Sequence, residues 1–393
     1  MAEKRGIGSA PVHGRRVLVR VDFNVPQDAS GQVADDRRIV EALPTLNHLR
    51  TAGARTILLS HLGRPDGKRD SRFSLRPVAH RLSAILGQPV GMAEDIVGAR
   101  PLELATRLEN GQFLMLENLR FHPGEEANDP AFASALASLG QLFIEDAFGT
   151  LHRAHASTVG VPKHLPSFAG FLVEREVREL SKLVESPARP YVVLVGGAKV
   201  ADKLPLLTSF LGRADSLLIG GALAFPFLAA QKAHLGATPV EPGLKDAVDG
   251  FFARARAAGT EVVLPTDVVV ERPGVPGTKV YPVEGVPPGA VARDIGPATR
   301  ARFGEVLAGS RTVFWNGPLG LAEDSRFAEG TRDVLARLGT VPGYHVAAGG
   351  DSARVAQDLG VSGSFQFIST GGGAALEFVQ GIVLPGLAVL PDA

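Results

Sequence analysis

No cysteine occurs among the 393 residues, so disulfides, thiolate nucleophiles and zinc–thiolate centres are excluded and a reducing compartment is permitted. Neither sign of charge is in excess, since 41 basic side chains face 41 acidic ones. The chain therefore lacks the positive surplus with which a general nucleic-acid binder releases counterions, and no nucleic acid is expected as a partner. Long apolar runs are missing as well. The longest, 216–230, contains Gly220, Gly221 and Pro226 and falls short of the ~20 residues that span a bilayer, so no membrane is expected either. The opening Met-Ala-Glu-Lys-Arg-Gly has no apolar core of a secretory signal, and a cytoplasmic protein is expected.

Several chemistry-bearing motifs are also absent. There is no Gly-x-x-x-x-Gly-Lys-Ser/Thr, which excludes a Walker-type nucleotide hydrolase. Asp146-Ala147-Phe148-Gly149 is not Asp-Phe-Gly, and His152-Arg153-Ala154 lacks the aspartate of a protein-kinase catalytic loop. Gly-x-Ser-x-Gly and Gly-x-Gly-x-x-Gly do not occur, which argues against a hydrolase elbow and a nicotinamide fingerprint.

What is present is a globular composition, 45% hydrophobic and 21% charged, long enough for two or three domains at ~100–200 residues each. Short apolar runs alternate with segments of helical period, the pattern of repeated βα units around a parallel sheet. Strands are expected at 16–21, 56–60, 112–116 and 141–145, with helices at 36–52, 75–86 and 130–139. The pattern starts afresh near Tyr191, with strands at 191–195, 216–219, 261–264, 312–315 and 344–347 and helices at 202–211, 245–258 and 326–338. Between the halves, 174–185 carries an apolar stripe of Val177, Leu180, Leu183 and Val184 and reads as one connecting helix. The proline- and glycine-rich segment 272–290 reads as a long surface loop. The expected fold class is α/β: two Rossmann-like doubly wound parallel-sheet lobes joined by a helix, with a ligand cleft between them.

The first half looks prepared for an anion. Eight of the ten histidines and 20 of the 32 arginines precede Pro190, and Arg or His clusters follow each expected strand. These clusters are 20–26, 60–65, 117–122 and 146–153, and the carboxyl ends of parallel strands are where such side chains converge. Arginine's planar fork binds phosphate or carboxylate, so a ring of arginines with Asp22, Asn24 and His61 suits a small molecule bearing anions and hydroxyls. His152 and His155 lack a third ligand in the sequence and do not read as a metal pair.

The second half has three glycine-rich points. The segment 195–203 leaves a strand and opens a helix, placing backbone amides beside Lys199 and Lys203, two of only nine lysines. The segment 348–352 follows another strand and holds Asp351, a hard oxygen donor of the kind Mg2+ takes when it bridges to phosphates. The segment 369–374 offers a third nest of amides. Together they describe a polyphosphate site.

The strings Arg-Val-Asp-Phe-Asn-Val-Pro at 20–26, Ser-His-Leu-Gly-Arg-Pro at 60–65, Gly-Gly-Ala-Lys-Val-Ala-Asp-Lys at 196–203, Trp-Asn-Gly-Pro at 315–318 and Ser-Thr-Gly-Gly-Gly-Ala at 369–374 closely resemble the phosphoglycerate kinase family, in that family's order. The resemblance runs over about 16–377. It implies a phosphoglycerate-binding lobe at 1–172 with the tail 384–393 returning to it, a hinge helix at 173–186 and a nucleotide-binding lobe at 187–383. It further implies reversible, Mg2+-dependent glycolytic transfer between 1,3-bisphosphoglycerate and ADP, giving 3-phosphoglycerate and ATP, by direct in-line transfer after hinge closure in a monomer.

By motif match, Asp22, Phe23, Asn24, Arg38, His61, Leu62, Gly63, Arg64, Arg120 and Arg153 would hold the phosphoglycerate. Gly197, Ala198, Lys203, Asn316, Pro318, Glu323, Gly349, Gly350, Asp351 and Ser352 would bind nucleotide, Asp351 also holding Mg2+. Arg38, Lys199, Gly372 and Gly373 would surround the migrating phosphoryl group. A catalytically idle phosphate-binding relative would be expected to lose Arg38, Lys199, Lys203 or Asp351, and none is lost. The chain departs from the family's pattern at Glu145, Leu151, Ala222, Pro226 and Ala348, positions that touch strand ends and the adenine pocket.

Overall fold

Strands apolar on both faces need helices on both faces, and the first sheet shows why. In β1 (Arg16–Arg20), Val17 and Val19 enter one hydrophobic cluster while Leu18 enters the other. The computed structural model describes residues 3–393. It divides into two units, Met1–Glu179 with Ile382–Ala393, and Leu180–Gly381.

In the first unit, β1 is joined by β2 (Arg55–Leu59), β3 (Val90–Met92), β4 (Phe113–Met115), β5 (Leu142–Glu145) and β6 (Ser167–Ala169). The sheet order is β3-β4-β2-β1-β5-β6, and every pairing is parallel. The order reverses between β1 and β5, so the carboxyl ends of those two strands flank a topological switch point, where ligands of such sheets bind. The helices are α1 (Arg37–Glu41), α2 (Leu43–Thr51), α3 (Arg76–Leu86), α4 (Ala99–Arg107), α5 (Pro123–Glu126) and α6 (Pro130–Ala137), and α7 (Phe171–Val184) begins in this unit and ends in the second.

The single helix expected at 36–52 is two helices that meet at Ala42. Pro44 explains the break, because a proline inside a continuous helix lacks its N–H and collides with the carbonyl four residues back; here it sits in the first turn of α2.

The second unit contains β7 (Tyr191–Val195), β8 (Ser216–Ile219), β9 (Glu261–Val263), β10 (Asp267–Arg272), β11 (Val275–Pro282), β12 (Val291–Ile295), β13 (Thr312–Asn316), β14 (Tyr344–Ala347) and β15 (Phe367–Ile368). Its parallel sheet runs β15-β14-β13-β7-β8-β9, with the switch between β7 and β13. The helices are α8 (Val200–Ser209), α9 (Ala224–Ala230), α10 (Lys245–Ala257), α11 (Pro297–Ala308), α12 (Glu329–Leu338), α13 (Gly350–Asp358) and α14 (Gly372–Val379).

The segment 272–290 is not a loop throughout. It holds β11, the outer strand of an antiparallel β11-β10-β12 sheet, with Arg272 opposite Val275 across a tight turn. Its prolines and glycines concealed the strand, and Pro276 and Pro282 are tolerated because an edge strand leaves one row of N–H groups unused.

After the second unit, α15 (Pro385–Ala388) and the last residues lie in the first. The Gly386 N–H donates to the Leu151 carbonyl at 2.9 Å, that of Ala393 to Glu3 at 2.8 Å, and Lys4 pairs with Asp392 at 2.7 Å. No described helix is long and apolar enough to cross a membrane.

Candidate functional site

In the first unit, the carboxyl ends of β1 and β2 bring together most of the residues the sequence singles out for an acidic ligand. Arg38 of α1 pairs with the Asp22 carboxylate. The Asn24 carboxamide oxygen accepts the Gly63 N–H at 2.9 Å, and Arg120 donates to the Gly63 carbonyl at 2.8 Å. Gly63 has φ of 62°, a left-handed conformation in which a side chain is strained, and a Cβ there would lie 2.4 Å from the Phe73 ring. Phe23 and Leu62 are buried, while Arg64 is exposed.

His61 is buried, its Nδ1 3.2 Å from the guanidinium of Arg20. Burial first, then Arg20, Arg120 and Arg38, hold the ring well below its ordinary value, so it is neutral near pH 7. Burial also lowers Arg120, with Glu126 opposing and Arg153 and Arg20 adding to the effect. Arg153, whose Nε lies 3.2 Å from His152 Nε2, thus acts on the same pocket through its charge. Among the described residues, no group of three or more His, Asp or Glu is disposed to hold a metal by itself.

In the second unit, the ends of β7, β13 and β14 are laced together around Lys203. Its ammonium donates to the Gly196 carbonyl at 2.5 Å and to the Asn316 carboxamide oxygen at 2.7 Å. Asn316 in turn donates to the Ala348 carbonyl at 2.7 Å, and Ser352 accepts the Gly317 N–H at 2.8 Å. The Gly197 N–H reaches the Pro318 carbonyl at 2.8 Å. Space forces the glycine at 196, where a Cβ would lie 2.0 Å from that carbonyl oxygen. Gly349 has φ of 102°, and a Cβ there would lie 2.5 Å from the Asn316 amide nitrogen.

The remaining expected residues sit around this core rather than in it. Ala198 and Lys199 are exposed at the entry to α8, where the Val200 N–H is taken by Glu241 Oε2 at 2.9 Å. Glu323 and Asp351 both face Arg354, at 3.5 and 3.8 Å, and Gly350 is exposed beside them at the start of α13. Pro318 is half-buried, and Gly372 and Gly373 open α14, with Gly373 exposed. Of the departures, Ala222 is exposed and Ala348 is buried with its carbonyl in use by Asn316.

Residues not anticipated as site members are Arg20, Glu125 and Ser157 in the first unit and Glu241 and Arg354 in the second. Arg20 did leave a signal, since it opens the 20–26 cluster and is a buried charge directly after the buried apolar run Val17-Leu18-Val19. Glu125, Ser157 and Glu241 lie far in sequence from the groups they touch, and Arg354, though three residues after Asp351 on α13, reaches Glu323 31 positions away.

A family model described as phosphoglycerate kinase matches residues 7–382. The phosphoglycerate kinase of Coprothermobacter proteolyticus is 48% identical over 387 residues, covering 98% of this chain and 98% of that protein. That of Pelotomaculum thermopropionicum is 46% identical over 391 residues, 99% of each. Among solved structures, phosphoglycerate kinase from Coxiella burnetii superposes with a TM-score of 0.89 at 35% identity, and that from Pyrococcus horikoshii OT3 with 0.83 at 30%, each covering 98% of both chains.

Proposed function

The chain belongs to the phosphoglycerate kinase family, and from this we propose that it catalyses reversible, Mg2+-dependent phosphoryl transfer between 1,3-bisphosphoglycerate and ADP, giving 3-phosphoglycerate and ATP. The enzyme is a kinase whose acceptor is a carboxyl group, and we take it to act in glycolysis as a cytoplasmic monomer. The observation that carries the reading is the first unit's pocket, where Arg38, Arg120 and Arg153 add their charges around a neutral His61 beside Asp22 and Asn24. Cations there meet phosphate and carboxylate, and the carboxylate of Asp22 and the amide of Asn24 are suited to a hydroxyl.

Phosphoryl transfer asks little covalent chemistry of a protein and depends on positioning and on cations around the equatorial oxygens. An acyl phosphate exchanges with a carboxylate, so no general base is needed. In this reading Arg38 and Lys199 meet the migrating group, Lys203 a phosphate of the nucleotide, and the amides of 371–373 the developing charge. Asp351 fits Mg2+, since it is a single carboxylate, 86% exposed, of the kind that shares a hydrated Mg2+ with substrate phosphates. When bound with nucleotide, Mg2+ would neutralise charge on the transferring phosphoryl. Direct in-line transfer also requires closure, and we assign the hinge to α7, which is shared by the two units.

The test is 3-phosphoglycerate-dependent consumption of MgATP, coupled through glyceraldehyde-3-phosphate dehydrogenase to NADH loss. Turnover that requires Mg2+ and 3-phosphoglycerate supports the reading. Binding of both ligands without turnover, or preference for another phosphorylated acid, overturns it.

A further inference from the structure

Behind His61 lies a chain of buried polar groups that none of the expected site residues explains. Arg20 closes β1 and is 1% exposed. Its Nε donates to Ser157 Oγ at 2.9 Å, one terminal nitrogen donates to the Val21 carbonyl, and the other meets His61 Nδ1 at 3.2 Å. The Ser157 hydroxyl donates a hydrogen bond to Glu125 Oε1 at 2.6 Å and its backbone N–H donates to Oε2 at 3.0 Å. Glu125 is fully buried, and burial raises its carboxyl above the ordinary range while the Arg20 charge and the two bonds from Ser157 pull the other way.

The directions of these bonds are dictated by chemistry. A guanidinium has donors and no acceptor, so the His61 Nδ1 facing it must be the bare, accepting nitrogen. A neutral imidazole with a bare Nδ1 carries its proton on Nε2. The Ser157 hydroxyl accepts from Arg20 and donates to Glu125, so donation runs outward from Arg20, to His61 on one side and through Ser157 to Glu125 on the other.

We propose that Arg20, held in place by Ser157 and Glu125, is a positioning residue that locks His61 as the Nε2–H tautomer, making it a hydrogen-bond donor to the bound acid and never a proton acceptor. The proposal rests on the kinase reading for the identity of the acid, but the tautomer does not. The groups that face His61 are Arg20 on β1, Arg38 on α1, Arg120 after β4 and His155 after β5, and all of them disfavour a second proton on the ring. A neutral donor has an advantage here: its hydrogen bond to an anionic substrate does not change as pH crosses the usual histidine range.

The decisive measurement is a long-range 1H–15N spectrum of the full chain labelled with 15N-histidine, recorded without substrate between pH 5 and 8, with His61 assigned by its loss in His61→Gln. The expected result is one His61 signal with protonated Nε2 and bare Nδ1, unchanged across the range. A ring protonated on Nδ1, or one that titrates inside this window, overturns the proposal on the wild-type protein alone. Arg20→Gln should let the ring exchange tautomers, and the KM for 3-phosphoglycerate should rise ~10-fold or more with a smaller change in kcat, the size of a lost charge-assisted hydrogen bond. Ser157→Ala, which leaves the Arg20 charge in place, should give the same pattern more weakly. A KM unchanged in a folded Arg20→Gln protein also overturns the proposal. Failure of the kinase reading would leave the spectrum as expected and remove only the turnover.

Discussion

Lys203 turns its ammonium back onto the Asn316 carboxamide oxygen, 2.7 Å away, at the switch point of the second sheet. Burial lowers the group to about 8, with the Asp351 charge pulling the other way. Above that pH the free protein loses the Lys203 charge, whereas a bound polyphosphate holds it on. ADP binding should therefore take up a proton near pH 8.5 and weaken as pH rises further. Titration calorimetry in buffers of different ionisation heat reads this directly, and Lys203→Arg should abolish the uptake. Binding with no proton uptake at pH 8.5 would count against Lys203 as a phosphate ligand.

The two parallel sheets were legible because their central strands are buried on both faces and read as short unbroken apolar runs, as β1 and β7 do. Two short strands were not: β3 is Val90-Gly91-Met92 and β6 is Ser167-Phe168-Ala169, and neither holds an unbroken apolar run without a small or polar residue. In the antiparallel sheet only β11 was hidden by residues that break most strands but not an edge strand; β10 and β12 contain neither proline nor glycine and were missed all the same. In the site, motif match is what points to Arg38, His61 and Lys203. Their supports were illegible, because Ser157 meets Glu125 across 32 positions and Glu241 meets Val200 across 41. Such pairings are properties of the fold rather than of any window of sequence.

Arg38 pairs with Asp22, and its side chain keeps 32% of its surface exposed, available to a ligand. Arg38→Ala should lower turnover by ~10^3-fold or more, the scale seen when a cation facing a transferring phosphoryl is removed. Affinity for ADP should stay within twofold, because the Lys203 cluster belongs to the other unit. Near-normal turnover in this variant would refute the role given to Arg38.

Glu145 is a buried carboxyl with one oxygen accepting the Ala147 N–H at 2.9 Å and the other without a hydrogen-bond partner among the described residues. Burial pushes it up to about 8 despite the opposing charge of Arg20. The folded protein therefore holds a proton there that the unfolded chain has already released. The sign follows: between the ordinary carboxylate range and pH 8, this group makes stability fall as pH rises. Glu145→Gln keeps the shape and removes the titration. It should melt with the wild type at pH 4.5 and be more stable at pH 8 by on the order of 1–3 kcal/mol. Parallel melting curves across that range would show instead that Glu145 is ionised in the fold.

Glu241 occupies the first free N–H of α8, the turn that carries Lys199 and Lys203. A carboxylate there satisfies an orphan donor and complements the helix dipole, worth ~1 kcal/mol. It does so from a loop 41 residues away, which ties that loop to the turn bearing both lysines. Glu241→Ala should destabilise the second unit by about that amount. It should also weaken ADP binding severalfold, because the lysines lose a fixed base, and Glu241→Asp should restore part of both. Differential scanning calorimetry and ADP titration separate the two effects. Tighter ADP binding in Glu241→Ala would mean the opposite: the carboxylate competes with phosphate for the helix N-terminus and must leave before nucleotide enters.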